Sequence, residues 1–487
     1  MASAYLARTH RLIRGGTPAR RPLRDVRQLP ARDDTTQPRA MSDGATLALV
    51  RAVRGIRYEE IPPHALEVAR HCLLDFLGCA LAGSREPLTG ILLESVARTE
   101  DAAAAALIGR RERTTRLAAA LVNGAAGHAL DFDDTHTVMS GHPSAPVLPA
   151  LLALVESEGA GGPRLLGALV AGIELECRLG ALLGPGHYAA GFHATATLGA
   201  FGAAAACAHL LGLDEEQWLH ALGLAGTQAA GLKSAFGSMA KPLHAGRAAE
   251  TGLLAALLAR GGFTASPAIL EAPQGFAATH AGAEPRSEAL ERWAGRFLVR
   301  DTLFKYHAAC YLTHAAIEAA SRLRTRHALA PQRIARVEVR VDPSLLAVCD
   351  VAEPRTGLEG KFSLRATTAM ALLGDDTADP ATFTAARMSD PGLVSLRDRV
   401  TVVPVAGTGP TRTTVIVETE AGAFEAAADT GVPATDLDAQ RERLTRKFLA
   451  LAAPVVGRAG AEALAAAALG ADGLADAAEL LRLARPG

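Results

Sequence analysis

The chain of 487 residues contains little cysteine, and its cysteines form no recognisable ligand pattern. They are Cys72, Cys79, Cys177, Cys207, Cys310 and Cys349. There is no C-x-x-C pair and no spacing typical of a zinc finger or an iron-sulfur cluster. The sequence therefore predicts reduced thiols in a cytoplasmic protein and argues against a disulfide-rich or zinc-binding class.

The chain also lacks an excess of positive charge. The 50 Lys and Arg residues are balanced by 51 Asp and Glu residues, and nine of the Arg lie in the first forty residues with only three Asp. The remaining 447 residues therefore carry 41 basic and 48 acidic residues. Because nucleic-acid binding requires a basic face, the composition predicts no nucleic-acid partner.

Strand-forming residues are missing from a long central segment. From Glu174 to Ala268, 95 residues contain neither Val nor Ile, while Ala, Leu and Gly dominate. Strands favour β-branched residues, so this segment predicts helices packed closely through small side chains. Its most apolar run, 194–213, contains His209 and much Ala, which favours a buried helix over a membrane span.

Strand patterns are found later in the chain. Residues 333–341 (RIARVEVRV) alternate apolar and polar side chains, residues 400–405 (VTVVPV) are β-branched, and residues 411–427 predict a hairpin turning near Gly422. A small α+β domain is therefore predicted between helical segments. The Arg- and Pro-rich residues 1–41 predict a disordered tail or an unused upstream start.

The stretch HALDFDDTH, residues 128–136, raises a phosphatase hypothesis. Asp131 to Thr135 match D-x-D-x-T, and residues 374–379 match G-D-x-x-x-D, the two acidic motifs of haloacid-dehalogenase-type phosphatases. Those motifs require parallel strands that end at a shared Mg²⁺ site. Because helix-like sequence precedes both motifs, this hypothesis is only a remote alternative.

Lysine is rare, with five against 45 arginines. A retained lysine indicates a site that needs a compact charge with an adjustable pKa, although Lys233, Lys305 and Lys447 are equally compatible with surface positions. Lys241 lies with His244 in AKPLHAGRAAETG, where Pro242 favours a helix start that suits a substrate carboxylate.

Two histidines are also expected at helix entrances. His142 precedes the helix predicted in PSAPVLPALLALVE, and His193 precedes ATATLGAFGAAAA. Together with Lys241 they place three polar side chains at three helix starts, which indicates a common site.

These segments, together with ARHCLLDFLGCALAGS, THAAIEAA and GKFSLR, resemble the MmgE/PrpD family over about residues 45–465. That family includes 2-methylcitrate dehydratase, cis-aconitate decarboxylase and iminodisuccinate epimerase. The resemblance implies a mainly α fold, in which an all-helical domain formed by residues 42–285 and 431–487 carries an inserted α+β lid at 286–430. It further implies a homodimer that acts on a small polycarboxylate without metal or organic cofactor.

The resemblance also implies the site residues. The catalytic set is Asp131, Thr135, His142, His193 and Lys241. The substrate-binding set is Lys241, His193, His244 and His307, so Lys241 and His193 belong to both. Lys241 and His193 are expected to bind carboxylates while His142 or Asp131 exchanges a proton. Asp133 and Asp134 are expected to shape the loop, since further carboxylates would repel the substrate.

The chain differs from cis-aconitate decarboxylases at Cys310, because those proteins share a histidine at the corresponding position. The leading hypothesis is therefore a lyase that dehydrates a citrate-like 2-hydroxy acid. Epimerase, racemase and decarboxylase activities on a related acid are the alternatives, and an inactive helical scaffold is a remote one.

Overall fold

Helices dominate the structure, as the Ala-, Leu- and Gly-rich composition predicts. The computed structural model describes residues 44–96, 105–292 and 294–487, with 61% helix and 9% strand. The helices before the main sheet are α1 (Ala45–Arg54), α2 (Pro63–Gly83), α3 (Pro87–Val96), α4 (Arg116–His128), α5 (Ser144–Glu158), α6 (Gly162–Leu183), α7 (Pro185–Ala189), α8 (Ala194–Leu211), α9 (Glu215–Gly226), α10 (Ala240–Arg260), α11 (Phe276–Ala281), α12 (Glu288–Arg292) and α13 (Tyr311–His327).

The remaining helices lie beside or after the sheet. They are α14 (Leu346–Cys349), α15 (Gly357–Gly360), α16 (Leu364–Leu373), α17 (Ala385–Met388), α18 (Pro391–Arg397), α19 (Leu437–Leu469) and α20 (Glu479–Leu483). Helix α19 is interrupted at Gly457, whose φ of 77° lies outside the helical region. Two-residue strands β1 (Ala105–Ala106) and β2 (Arg113–Thr114) pair antiparallel near the start of α4.

The helices pack closely through small residues, which confirms the interpretation of the central segment. Every residue from 174 to 268 is described, and none belongs to a β-strand. Helix α10 packs between α4 and α8. A Cβ at Gly246 of α10 would lie 2.1 Å from the Leu121 carbonyl oxygen of α4, so only glycine permits this approach.

The main sheet has the strand order β4-β3-β5-β6, with β3 (Ile334–Val341), β4 (Val400–Pro404), β5 (Arg412–Thr419) and β6 (Gly422–Asp429). Strands β3 and β4 are parallel, and the other pairs are antiparallel. Helix α13 packs against β5 and β6, and α16 packs against α13 and β4. The predicted strands and the hairpin at Gly422 are therefore confirmed.

Buried side chains form two hydrophobic clusters. The larger one unites α1, α2, α4 to α6 and α8 to α11 with α19 and α20, and the smaller one contains the sheet with α13 and α16. Because α19 follows the sheet and packs along α2, the two ends of the described chain meet in the larger cluster. The inserted lid and its boundaries at 285/286 and 430/431 remain predictions, and the interpretation of residues 1–41 falls outside the described residues.

Two further expectations concern burial. All six cysteines are free thiols buried in the fold. Length and composition would allow α8 and α19 to span a bilayer. In α8, however, 89% of the most apolar 18-residue stretch is buried inside the protein, and in α19 the buried share of that stretch is 39%. Such burial is what a core helix shows, so α8 fits the predicted buried helix.

Gly246→Ala is expected to lower the free energy of unfolding by about 1–3 kcal/mol, because the added methyl group overpacks the contact between α10 and α4. Gly90→Ala in α3 is the matched control, since no atom lies within 4 Å of its Cβ position. That change should be neutral or stabilise by up to about 1 kcal/mol. Urea denaturation of both variants measures the difference, and equal stabilities would contradict the packing argument.

Candidate active site

The D-F-D-D-T segment forms the loop that connects α4, ending at His128, to α5, starting at Ser144. Thr135 pairs its backbone with Leu303 through two hydrogen bonds of 2.8 Å, and its hydroxyl donates to the Gly141 carbonyl at 3.1 Å. Asp131 has a φ of 51°, a left-handed conformation that Asp tolerates better than most residues. The loop therefore has one fixed shape, to which the Thr135 hydroxyl contributes.

Asp131 binds two lysine side chains at once. Its Oδ1 lies 2.8 Å from the Nζ of Lys241 and 2.8 Å from the Nζ of Lys305, which also donates to the Asp131 carbonyl at 2.7 Å. Burial raises the pKa of Asp131, but the two ammonium groups outweigh it and hold the pKa well below its usual range. Asp131 is therefore ionised at neutral pH, and its Oδ1 is already occupied by two ammonium donors.

Asp133 lies between two imidazoles. Its carboxylate is 2.9 Å from His128 Nδ1 and 3.3 Å from His142 Nδ1, and the two rings are in edge contact with centroids 4.5 Å apart. Burial lowers the pKa of His128 to about 4, against the opposing charge of Asp133. At neutral pH the neutral ring donates Nδ1–H to Asp133, and its buried Nε2 has no partner among the described residues. A carboxylate-oriented imidazole with a free nitrogen is the arrangement of a general base.

His193 and His244 lie behind these imidazoles. His193 precedes α8, is 2% exposed, and places its Nδ1 3.1 Å from His244 Nδ1, while its ring stacks near His128. Burial lowers the pKa of His193 strongly, and the nearby positive charges lower it further. His193 is therefore neutral at pH 7, so a carboxylate could be bound only through a neutral ring N–H, and its expected role in substrate binding remains a prediction.

Asp134 and His307 point elsewhere. Asp134 accepts hydrogen bonds from the Ser144 backbone and hydroxyl at the start of α5, in agreement with its predicted loop role. His307 bonds to Thr377 at 2.8 Å and to Glu318 at 3.3 Å, and it lines a different cavity. The structure thus does not bring His307 to the other predicted site residues.

A cavity of about 600 Å³ opens beside Asp131. Its polar lining includes His128, Asp131, Lys241, Cys310 and Lys361. Its apolar lining includes Leu88, Leu358, Met239, Phe362 and Phe383. The cavity combines a few convergent charges with an apolar wall, as small-molecule sites do.

Four side chains of the loop region have a spacing that a metal ion could use. The ligand atoms of His128, Asp131, Asp133 and His142 lie within 4.8 Å of one another. Asp131 Oδ1, however, already contacts two ammonium groups, which would repel a divalent ion at that position. The cluster suits proton transfer and anion binding better, and the expected absence of a metal remains a prediction.

The structure does not provide the strand ends that the phosphatase hypothesis requires. The D-x-D-x-T residues follow α4 and the G-D-x-x-x-D residues follow α16, so neither motif stands at the carboxyl end of a strand. Asp375 of the second motif forms an ion pair with Arg387 at 2.8 Å. The two motifs therefore do not form the shared metal site that such phosphatases need.

Comparisons with known proteins identify the family of the chain. The family models of the MmgE/PrpD N-terminal and C-terminal domains match residues 47–288 and 307–471. The chain belongs to the MmgE/PrpD family. Within it, the chain is 33% identical to a cis-aconitate decarboxylase of Aspergillus terreus over 58% of this chain and 61% of that protein. It is 29% identical to the human cis-aconitate decarboxylase over 60% and 62%. The matched part is therefore under two thirds of these relatives' length.

Among the residues that the MmgE/PrpD resemblance singled out, Asp131, His142 and Lys241 meet directly, while Thr135, His193 and His244 support them from behind. Sequence patterns missed the roles of His128, Lys305 and Lys447. Lys447 donates to Asp75 and to the carbonyls of Phe132 and Lys305 at 2.6–2.9 Å. The scarcity of lysine was the available signal, because Lys305 and Lys447 are both buried and paired.

Asp131→Asn should lower the free energy of unfolding by about 3–5 kcal/mol, because it leaves two buried ammonium groups without their counter-charge. Asn adopts left-handed backbone conformations as readily as Asp, so the backbone is preserved. Adding Lys305→Met removes one stranded charge and should recover part of the loss. Denaturant titration tests both variants, and a double variant no more stable than Asp131→Asn would contradict the ion-pair assignment.

The raised pKa of the Asp134 carboxyl group predicts that the stability of the fold depends on pH. Burial, reinforced by the charge of Asp75, raises its pKa to about 8, although the Ser144 hydrogen bonds oppose the shift. Between pH 4 and 8 the unfolded chain loses a proton that the folded chain keeps, so stability falls as pH rises, by up to about 1.4 kcal/mol per unit.

Asp134→Asn, which cannot ionise, should therefore gain stability relative to the native protein by about that amount per unit from pH 5 to 7. Asp438→Asn on α19 is the control, because that carboxylate is 82% exposed. Thermal unfolding at several pH values measures the difference. A difference that stays constant over this range would show that Asp134 is ionised in the fold.

Proposed function

We propose that the protein is a cofactor-independent lyase that acts on a small di- or tricarboxylic acid by proton transfer at the carbon next to a carboxylate. The observation that carries this proposal is the pairing of Lys241 with Asp131 beside the His128–Asp133 pair in one cavity. A bound carboxylate and a general base are the two requirements of such chemistry.

In the proposed reaction, the Lys241 ammonium receives a substrate carboxylate and stabilises the negative charge that develops when the neighbouring C–H bond breaks. The unpartnered Nε2 of His128 accepts the proton, while Asp133 holds the ring through Nδ1 and stabilises the resulting imidazolium. Loss of hydroxide from the carbanion then gives an alkene. Dehydration of a citrate-like 2-hydroxy acid is therefore the leading reaction. In it, His142 is available to donate a proton to the departing hydroxide.

Decarboxylation is a second candidate, which the names of the relatives favour. Loss of carbon dioxide from a cis-aconitate-like acid would leave a carbanion that a protonated imidazole quenches. Both reactions use the same two groups, so the cavity supports either. As part of this proposal, the protein is cytoplasmic and forms a homodimer. It binds the small acid and neither nucleic acid nor a membrane.

The test is a proton NMR assay in D₂O with citrate, 2-methylcitrate, tartrate and cis-aconitate. The native protein should convert at least one acid, and a new alkene signal without loss of carbon dioxide would identify dehydration. His128→Gln should lower kcat by about a hundred- to ten-thousandfold, because it removes the base and keeps the hydrogen-bonding shape. Gly90→Ala, whose site lies in open space on α3, is the matched control and should retain full activity.

Other outcomes separate the alternatives. Carbon dioxide with an alkene product identifies a decarboxylase, and deuterium exchange without net loss identifies an epimerase or racemase. Full activity after extensive dialysis against a chelator is expected, and its loss would instead favour a metal at the four-residue cluster. No exchange or turnover of any acid would contradict the proposed function and favour a scaffold.

A further inference from the structure

Lys361 is half-buried, and it differs from Lys241, Lys305 and Lys447 because its ammonium has no counter-charge in contact with it among the described residues. Lys241 and Lys305 bind Asp131, and Lys447 binds Asp75. Lys361 lines the same cavity as Lys241, but no described residue forms a hydrogen bond or an ion pair with its Nζ. Its Nζ lies over the Phe383 ring, 5.8 Å from the ring centroid.

The backbone around Lys361 is held on both sides. The preceding helix α15 starts with a capping box between Thr356 and Glu359, and the following helix α16 is capped by Ser363, whose hydroxyl accepts from the Ala366 N–H at 3.1 Å. The Cys310 N–H donates to the Lys361 carbonyl at 2.9 Å. Lys361 is therefore attached to a fixed segment, which is what a binding residue requires.

The surroundings of the ammonium favour an anion. Leu358, Phe362 and Phe383 line the same cavity and give the wall around Lys361 an apolar character. Burial lowers the pKa of Lys361, whereas the more distant carboxylates of Asp131 and Glu86 raise it. A buried charge without a partner is costly, and a ligand carboxylate would supply the missing partner.

Lys241 and Lys361 reach the cavity from different parts of the fold. Lys241 belongs to α10 among the helices of the larger hydrophobic cluster, and Lys361 precedes α16 of the smaller one. The lining of this cavity also includes the apolar side chains of Leu88 and Met239. A molecule with a carboxylate at each end and a carbon chain between them matches this distribution.

We propose that Lys361 binds a second carboxylate of the substrate, so that the site selects di- and tricarboxylic acids over monocarboxylic acids. The inference rests on the proposed function for the location of the first carboxylate at Lys241. It adds a binding residue that is not among the candidate catalytic residues, and it assigns the preference for polycarboxylates to that residue. Because Lys361 would act on binding and not on proton transfer, its removal should raise KM far more than it lowers kcat.

The experiment compares cis-aconitate, which has three carboxylates, with crotonate, which has one, by ligand-observed NMR titration of the full chain. Lys361→Met should weaken cis-aconitate binding about 10- to 100-fold, the usual effect of losing a hydrogen bond to a charged group. Crotonate binding should stay within about threefold. Lys361→Arg keeps the charge and should retain most of the preference. Arg412→Met, which removes an exposed positive charge on β5, should leave both affinities unchanged.

Three results would overturn the inference while the proposed function stands, provided that the native protein still converts an acid. In the first, Lys361→Met binds cis-aconitate as tightly as the native protein does. In the second, Lys361→Met loses the same factor of affinity for cis-aconitate and for crotonate. In the third, Lys361→Arg binds cis-aconitate as weakly as Lys361→Met does. Thermal unfolding of each variant shows whether a loss of binding reflects a loss of folding. If the native protein neither binds nor converts any polycarboxylate, the proposed function itself fails and the inference fails with it.

Discussion

The candidate site depends on one carboxylate oxygen, Asp131 Oδ1, which holds two ammonium groups from distant parts of the chain. Lys305 is 174 residues away in sequence, and Lys241 lies on a different helix. Buried ion pairs often add little net stability, but they penalise any arrangement in which a partner is missing. The contact therefore fixes where α10, the D-F-D-D-T loop and the segment before α13 meet, and it determines where a substrate charge can be received.

Lys447 connects the same region to the end of the chain. Its ammonium donates to the Asp75 carboxylate and to the carbonyls of Phe132 and Lys305, and it lies 3.9 Å from the centroid of the Phe132 ring. Three acceptors around one compact donor suit lysine, whereas a planar guanidinium would need more room. The scarcity of lysine thus has a physical meaning here, since Lys305 and Lys447 are buried with their ammonium groups paired to carboxylates.

Composition and periodicity predicted the helices, the strands and the three helix entrances, because those features depend on local residue types. The charge states of His193 and Asp134 could not be predicted, since they depend on burial by helices far away in sequence. His128 ends α4 within the quoted motif, but no pattern shows which imidazole faces Asp133. His307 and Cys310 are three residues apart, yet they line different cavities. The D-x-D-x-T match misled for the same reason, because a short motif carries no information about the elements around it.

The contacts of Lys447 also set the order in which the site can form during synthesis. Lys447 is 315 residues beyond Phe132, whose carbonyl it binds. At roughly 5–20 residues per second, a ribosome needs about 15–60 s to make the intervening chain. Until then, Asp75 has no cation beside it in the core, and the larger hydrophobic cluster lacks α19. The loop that carries Asp131 is therefore completed only after the chain up to α19 has left the ribosome, so that no nascent fragment ending before Lys447 contains the finished site.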